Sequence, residues 1–322
     1  MKMQTTMARK FTPVRGQLRS RREEGGDDRE QKPAWVGKKS HVSVMTAEVL
    51  QALAVKNGEV VVDATYGVGG HSKALKKAAK IKLITIDADP ASGAHITANF
   101  GDLSDVLAKN LPAGMGVDKA LFDLGWNRSQ LLSGRGFSFM HDEPLNMSYG
   151  KVPRSGFTAA EALNEWSETA LADVFFGYGE ERYARRIARR IVERRALQPF
   201  ATTLELVEVV ADAVPAAYRR GRLHPATKTF QALRIAVNDE LGALERGLKA
   251  AWYALFCGGR IAVVTFHSIE DRLVKRYFAA LAKEGRGKLV YRKPLAPTAA
   301  EIADNPSARS AKLRAIEKIC TH

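Results

Sequence analysis

Residues 63–72 read DATYGVGGHS and directly follow the apolar run EVVV. A glycine-rich turn at a strand end lets the backbone approach a ligand and frees its N–H groups for an anionic atom. A phosphate-cradling P-loop would need the lysine of GK[ST], and GVGGHS has none. A dinucleotide loop would read GxGxxG, of which only the first two glycines are present. The carboxylates discriminate better. Asp63 closes the strand before the turn and Asp87 closes the next one, where a carboxylate can accept ribose hydroxyls. An acid beside such a turn can also meet an ammonium group while the freed N–H groups take the adjoining carboxylate. S-adenosylmethionine offers a ribose and an amino-acid end without any phosphate, so this stretch suits it better than NAD. A tight turn with no ligand is the competing reading.

The elements that must hold these residues follow a parallel α/β order: strand EVVVDAT (59–65), helix HSKALKKAAK, strand KLITIDAD, then strand DKALFDLG (118–125). The link ASGAHITANFGD is too short for a full crossover helix plus strand, which predicts a trimmed crossover. Residues 156–222 carry helical periodicity with no strand among them (TAAEALNEW, ALADVFFGYGEERYARRIARRIVERR, TLELVEVVADAV). The α/β pattern then resumes with one long helix, TFQALRIAVNDELGALERGLKAAWYALF, the strand RIAVVTF and the helix IEDRLVKRYFAALAK. KLVYRKPL and SAKLRAIEKI close the sheet. The expected architecture is a Rossmann-like α/β domain (41–150 and 223–322) carrying an inserted all-helical, substrate-binding domain (151–222), after an extension (1–40).

Lys+Arg number 50 against 35 Asp+Glu, a net charge of +15, and such an excess attracts polyanions, nucleic acid first. In 182-RYARRIARRIVERR-195, Arg185, Arg186 and Arg189 share a helical face with Arg182 and Arg190, opposite Ile187 and Ile191. These three, with Arg220 and Lys228 in RRGRLHPATK and Arg309 and Lys312 near the end, are the expected phosphate contacts. They would position an RNA without choosing its sequence. Cys257 and Cys320 cannot build a disulfide framework and form no CxxC pair, which fits a reducing compartment. No apolar run reaches the roughly 20 residues of a membrane span, so a soluble, cytoplasmic protein is expected. The first 22 residues are Arg-rich and acid-free, which also fits an organelle transit peptide and a matrix location. No amphipathic apolar face accompanies the charge, so a flexible, solvated basic extension is the preferred reading. His71 and His267 lack metal-ligand spacing, so no metal is expected. His267 in TFHSIEDR stands to hold substrate or to cap the next helix. The oligomeric state is left open, a homodimer included.

LFCGGRIAVVTF is the usual lead into the fifth strand of a class I methyltransferase sheet. Along the chain, HVSVMTAEVL, VDATYGVGGHS, FDLGWNRSQL, RGFSF, PLNM, GYGEERYARRIAR, HPATKTFQALRIAVNDEL, VVTFHSIEDRLVK and NPSARSAKLR occur in that order. Together they closely resemble the bacterial 16S ribosomal-RNA cytosine-N4 methyltransferase family, also called small-subunit methyltransferase H, from about His41 to Ile319. The resemblance implies a class I fold with a helical insertion, S-adenosylmethionine as methyl donor, and a cytidine of small-subunit ribosomal RNA, free or in the assembled subunit, as acceptor. It also implies that Gly69, Gly70, His71, Asp87, Phe100, Asp123 and Gln130 hold the cofactor, with Asp87 on the ribose and Phe100 against the adenine. Two stretches depart from the family. DLGWNRSQLL stands where DLGVSSPQLD is usual, which brings in Trp126, Asn127 and Arg128. PLNMS stands for PLDMR, which puts Asn146 at the expected catalytic position and Ser148 beyond it. Asn146 can align an amine but cannot remove its proton. A ribosome-assembly protein that keeps the fold without the chemistry is the rival reading. An amino-methylating DNA enzyme would show a DPPY-like motif where DLGWN stands.

Overall fold

The computed structural model describes residues 43–125, 131 and 133–320. The described chain opens with helix α1 (Thr46–Leu53), strand β1 (Val60–Asp63) and helix α2 (Gly70–Ala78), followed by strand β2 (Lys82–Asp87). The short link after β2 holds only the two-residue strand β3 (Ile96–Thr97) and a 3₁₀ turn, Phe100–Asp102, before α3 (Leu103–Asn110) and β4 (Val117–Asp123). No helix fits between β2 and β3, as the length of the link requires. Helices α4 (Ala159–Glu165), α5 (Glu168–Gly179), α6 (Ala184–Arg195), α7 (Thr203–Ala213) and α8 (Ala216–Arg219) follow. Then come α9 (Thr227–Asn238), α10 (Glu240–Ala254), β5 (Leu255–Thr265), α11 (Ser268–Lys283), β6 (Gly287–Leu289), α12 (Ala299–Asp304) and β7 (Lys312–Lys318).

The sheet order is β3-β2-β1-β4-β5-β7-β6, with β7 antiparallel to its neighbours and the first five strands parallel. This is the class I methyltransferase arrangement, and the reversal of order beside β1 and β4 creates the crevice at the strand ends where such sheets bind ligands. Side chains alternate between two apolar layers, as strand geometry dictates. Val60, Val62, Phe122 and Val263 pack under α3, α10 and α11, whereas Val61, Leu121 and Val264 pack against α1, α2 and β7.

Helices α4–α8 build a third apolar core of their own, centred on Leu163, Phe175, Ile187 and Leu206. Their starts are chemically marked. Thr158 with Glu161 and Thr202 with Glu205 form capping boxes, and Ser167 caps α5. This core also recruits Phe137, Leu145 and Met147 before the helices and Phe230, Leu233 and Val237 of α9 after them, on either side of the span 151–222.

The expected single long helix after it is broken. Asp239 takes a left-handed conformation (φ 48°) and divides α9 from α10. The buried Asn238 side chain accepts from the Tyr149 amide at 2.9 Å and donates to the Met147 carbonyl at 2.8 Å. These bonds tie the break to the loop 133–150, and α9 stays with the helical core while α10 joins the sheet.

Candidate active site

The turn after β1 is held by polar groups that the sequence places within a few residues of one another. Asp63 is 1% exposed, and its carboxylate accepts from Ser72 Oγ at 2.6 Å and the Thr65 amide at 3.2 Å. It therefore braces the turn from inside and is not among the cavity-lining residues. Burial raises its pKa. Gly69 sits at φ 77°, and a Cβ there would lie 2.5 Å from the Tyr66 hydroxyl. At Gly70 a Cβ would lie 2.0 Å from Ser43 Oγ. Gly69 is needed for conformation as well as for close packing, and Gly70 for close packing. Thr65 Oγ1 accepts the Asp123 amide at 2.6 Å, joining the ends of β1 and β4.

His71, 5% exposed at the start of α2, places Nε2 3.2 Å from Asp123 Oδ2. Burial alone would lower its pKa, but the hydrogen bond and charge of Asp123, helped by Asp63, raise it overall. A raised folded-state value means that the pair stabilises fully below the unfolded histidine value near 6.5, and that this contribution is lost as pH climbs through the folded value. Urea unfolding at about pH 6 and about pH 9 is expected to show a loss of stability with rising pH in the natural protein that His71→Gln largely removes. Equal slopes for the two proteins would refute the pairing.

At the end of β2, Asp87 accepts from the Gly67 amide at 2.7 Å and the Asp89 amide at 2.8 Å, one bond to each oxygen. Each oxygen retains a lone pair for a hydroxyl. Phe100 stands edge-on to Phe122, with centroids 5.9 Å apart, and leaves its ring on the cavity wall. The cavity at these strand ends is lined by Thr65, Gly67, Asp87, Phe100, Asp123, Leu124, Gly125, Tyr149, Glu240, Leu244 and Glu270, among others. Among the described residues that line it, four are acidic and none is lysine or arginine. Such a wall favours a cationic ligand and opposes a pyrophosphate. Gly69, Gly70 and His71 lie behind that wall, in the turn and first residues of α2.

Sequence reasoning missed the far wall. Tyr149 donates to Glu240 Oε1 at 2.9 Å, and the buried Arg234 places Nε 2.7 Å from the same oxygen and donates to Oε2 at 2.9 Å. Burial first of all keeps the Tyr149 hydroxyl protonated, and so a donor. Glu270 accepts from the Phe266 and His267 amides and lies 2.9 Å from His267 Nε2, while His267 caps α11. Ligand atoms of Glu240, His267 and Glu270 lie within 4.8 Å of one another, yet Arg234 already neutralises Glu240 and His267 faces Glu270. Arg135 is the other missed residue. It bonds the Ser148 and Tyr149 carbonyls and Asp89, clamping the 133–150 loop to the β2 end. RGFSF, VNDEL and HSIEDR were visible as motifs, but which of their polar residues turn inward depends on tertiary contacts.

Asn146 is not among the cavity-lining residues. Its Oδ1 accepts the Ser148 amide at 2.9 Å, shaping the turn that leads to Tyr149. Gln130 and the departing residues Trp126, Asn127 and Arg128 lie outside the described residues. Of the expected RNA contacts, Arg185, Arg186, Arg220 and Arg309 are exposed, and Arg186 also lies over the Tyr183 ring. Arg189 approaches Glu168 at 3.6 Å, Lys228 donates to the Glu180 carbonyl at 2.8 Å, and Lys312 shares Asp271 with Arg314. These three are partly occupied within the fold.

Comparisons with known proteins place the sequence in a family. The chain is 46% identical over 288 residues to a ribosomal RNA small subunit methyltransferase H of Trichormus variabilis, covering 87% of this chain and 92% of that one. It is 44% identical over 311 residues to the protein of that name from Carboxydothermus hydrogenoformans, covering 87% and 98%. A solved rRNA methylase from Streptococcus thermophilus is 11% identical with a TM-score of 0.38, over 85% of this chain and 94% of that one. The fold assignment accordingly rests on the strand order. The sequence pattern of the MraW methylase family matches residues 38–319, and the chain belongs to that family.

Proposed function

We propose that this protein is an S-adenosylmethionine-dependent methyltransferase that modifies N4 of a cytidine in small-subunit ribosomal RNA. The observation that carries the donor is the cavity wall: Asp87, Asp123, Glu240 and Glu270 around a glycine turn, with Phe100 as an aromatic face. In this reading Asp87 accepts the ribose hydroxyls, Phe100 packs on the adenine, and Gly69, Gly70 and His71 shape the turn that holds the amino-acid end. Asp123 and Gln130 complete the donor site. Bound S-adenosylmethionine supplies an electrophilic methyl group on sulfur.

The acceptor side falls to the chain's own residues. A cytosine amine is a weak nucleophile because its lone pair is delocalised into the ring, so orientation against the methyl group dominates the rate. Asn146 acts through the turn that sets Tyr149, and its amide removes no proton; the proton of the methylated amine leaves to water. The helical layer, 151–222, receives the RNA, and the target cytidine must be splayed out of any stack to enter. Such a protein works where small subunits are made, in the cytoplasm, or in an organelle matrix if residues 1–40 act as a transit peptide. Methylation of small subunits from cells lacking the modification tests the proposal. N4-methylcytidine detected by nucleoside mass spectrometry is the expected product, and its absence with cofactor bound would favour the assembly-protein reading.

Arg185 and Arg186 are exposed on α6 and have no carboxylate partner among the described residues. Replacing both with alanine is expected to weaken RNA binding uniformly across sequences. It is also expected to lower the slope of log K against log salt by roughly one for each phosphate that these arginines neutralise. Filter binding across a salt series measures this, and an unchanged slope would remove α6 from the interface.

A further inference from the structure

A second cleft opens between α10 and α11, with a volume of about 470 Å³, within the range of small-molecule sites. It is lined by Glu245 of α10 and by Ile269, Arg272, Leu273, Arg276 and Tyr277 of α11. The spacing accounts for the lining. Ile269, Leu273 and Tyr277 recur every fourth residue, as do Arg272 and Arg276 beside them, so α11 presents an apolar stripe edged by two guanidinium groups. Leu273 and Tyr277 pack against the sheet core and give their remaining surface to the cleft.

The cleft adjoins the cofactor cavity. Leu244 and Glu270 line that cavity, and their chain neighbours Glu245 and Ile269 line the cleft. On its other side it reaches the helical core, because Glu180 after α5 accepts from Ser268 Oγ at 2.7 Å and from Arg272. Charge decides what fits. Glu245 is matched by Lys249 Nζ at 2.7 Å and Arg272 by Glu180, whereas the exposed Arg276 has no carboxylate partner among the described residues. An apolar floor beside a spare guanidinium suits a planar group that carries an anion.

We propose that this cleft holds a nucleotide of the substrate RNA next to the target cytidine, with its base on Leu273 and Tyr277 and its phosphate on Arg276. Extruding the target breaks its stacking with its neighbours. A tyrosine ring replaces that stacking whatever the neighbouring base is, so the cleft positions the strand without reading it. The proposal rests on the RNA reading above and adds a site for the strand outside both the 151–222 helices and the cofactor cavity.

The test binds small subunits lacking the modification to the natural protein, Arg276→Ala and Tyr277→Leu over a salt series. Arg276→Ala is expected to lower the slope of log K against log salt by about 0.7, the share of one single-strand phosphate. Tyr277→Leu keeps an apolar floor without the ring, and is expected to weaken binding roughly 5- to 150-fold with the slope unchanged. Calorimetry with S-adenosylhomocysteine checks that each variant keeps its fold; should Tyr277→Leu lose that affinity, the slope of the exposed Arg276→Ala decides alone. An unchanged slope in Arg276→Ala would overturn the proposal and leave the RNA reading standing, whereas a natural protein that does not bind the subunits would remove both. Micromolar binding of free cytidine monophosphate that Arg276→Ala abolishes would give the cleft to a soluble nucleotide instead. A dimer that Tyr277→Leu splits would give it to a second copy of the chain.

Discussion

Arg234→Ala is expected to destabilise the fold by about 3–5 kcal/mol, because it leaves the Glu240 carboxylate in a poorly solvated wall without its counter-charge. The ion pair is 5% and 11% exposed, and Nε lies 2.7 Å from Oε1. For a chain of this size the fall in Tm is on the order of 10 °C. Urea denaturation of the single variant and of the double variant Arg234→Met with Glu240→Leu separates the two parts of the effect. The double variant removes both charges, keeps most of the volume, and is expected to recover much of the loss. A single variant within about 1 kcal/mol of the natural protein would show that Glu240 is better solvated than its surroundings imply.

Asp87→Ala is expected to weaken S-adenosylhomocysteine binding by about 2–4 kcal/mol, roughly 30- to 700-fold. It removes charge-assisted bonds to the ribose and frees the Gly67 and Asp89 amides that the carboxylate now fixes. Calorimetry with the product nucleoside reads this directly. Asp63→Asn is the informative companion. Its side chain keeps an acceptor for the Thr65 amide, and the natural carboxylate is turned into the loop. Its effect on affinity is expected to stay below about tenfold. If the two substitutions exchanged these outcomes, the assignment of the ribose to the end of β2 would fail.

Much of the glycine-turn side of the cavity was legible in the sequence because it is local. An apolar run, a glycine turn and a helix start define the β1–α2 unit, and Asp87 follows at the end of the next apolar run. The trimmed crossover could be read from chain length alone, and the arginine-rich face of α6 from its 3.6-residue period. What escaped were residues whose roles depend on distant partners. Asp63 and Asp87 occupy equivalent strand ends, yet one turns inward to Ser72 and the other outward. Arg234 lies on a continuous helical pattern, and nothing in its neighbours announces that it will be buried against Glu240 and Tyr149. The helix break was likewise hidden, since VNDEL has neither glycine nor proline to mark it.

That break at Asp239 sets the angular phase between two bodies. Before it, the chain is indexed to the helical core; immediately after it, Glu240 is indexed to the sheet. An α-helix advances about 100° per residue, so inserting a single residue after Asp239 would swing every later side chain of α10 by that angle. Glu240 would leave its wall and Leu244 its layer together. The helical layer can therefore absorb changes of length in its outer loops, but the count of residues across this hinge is constrained to a single value.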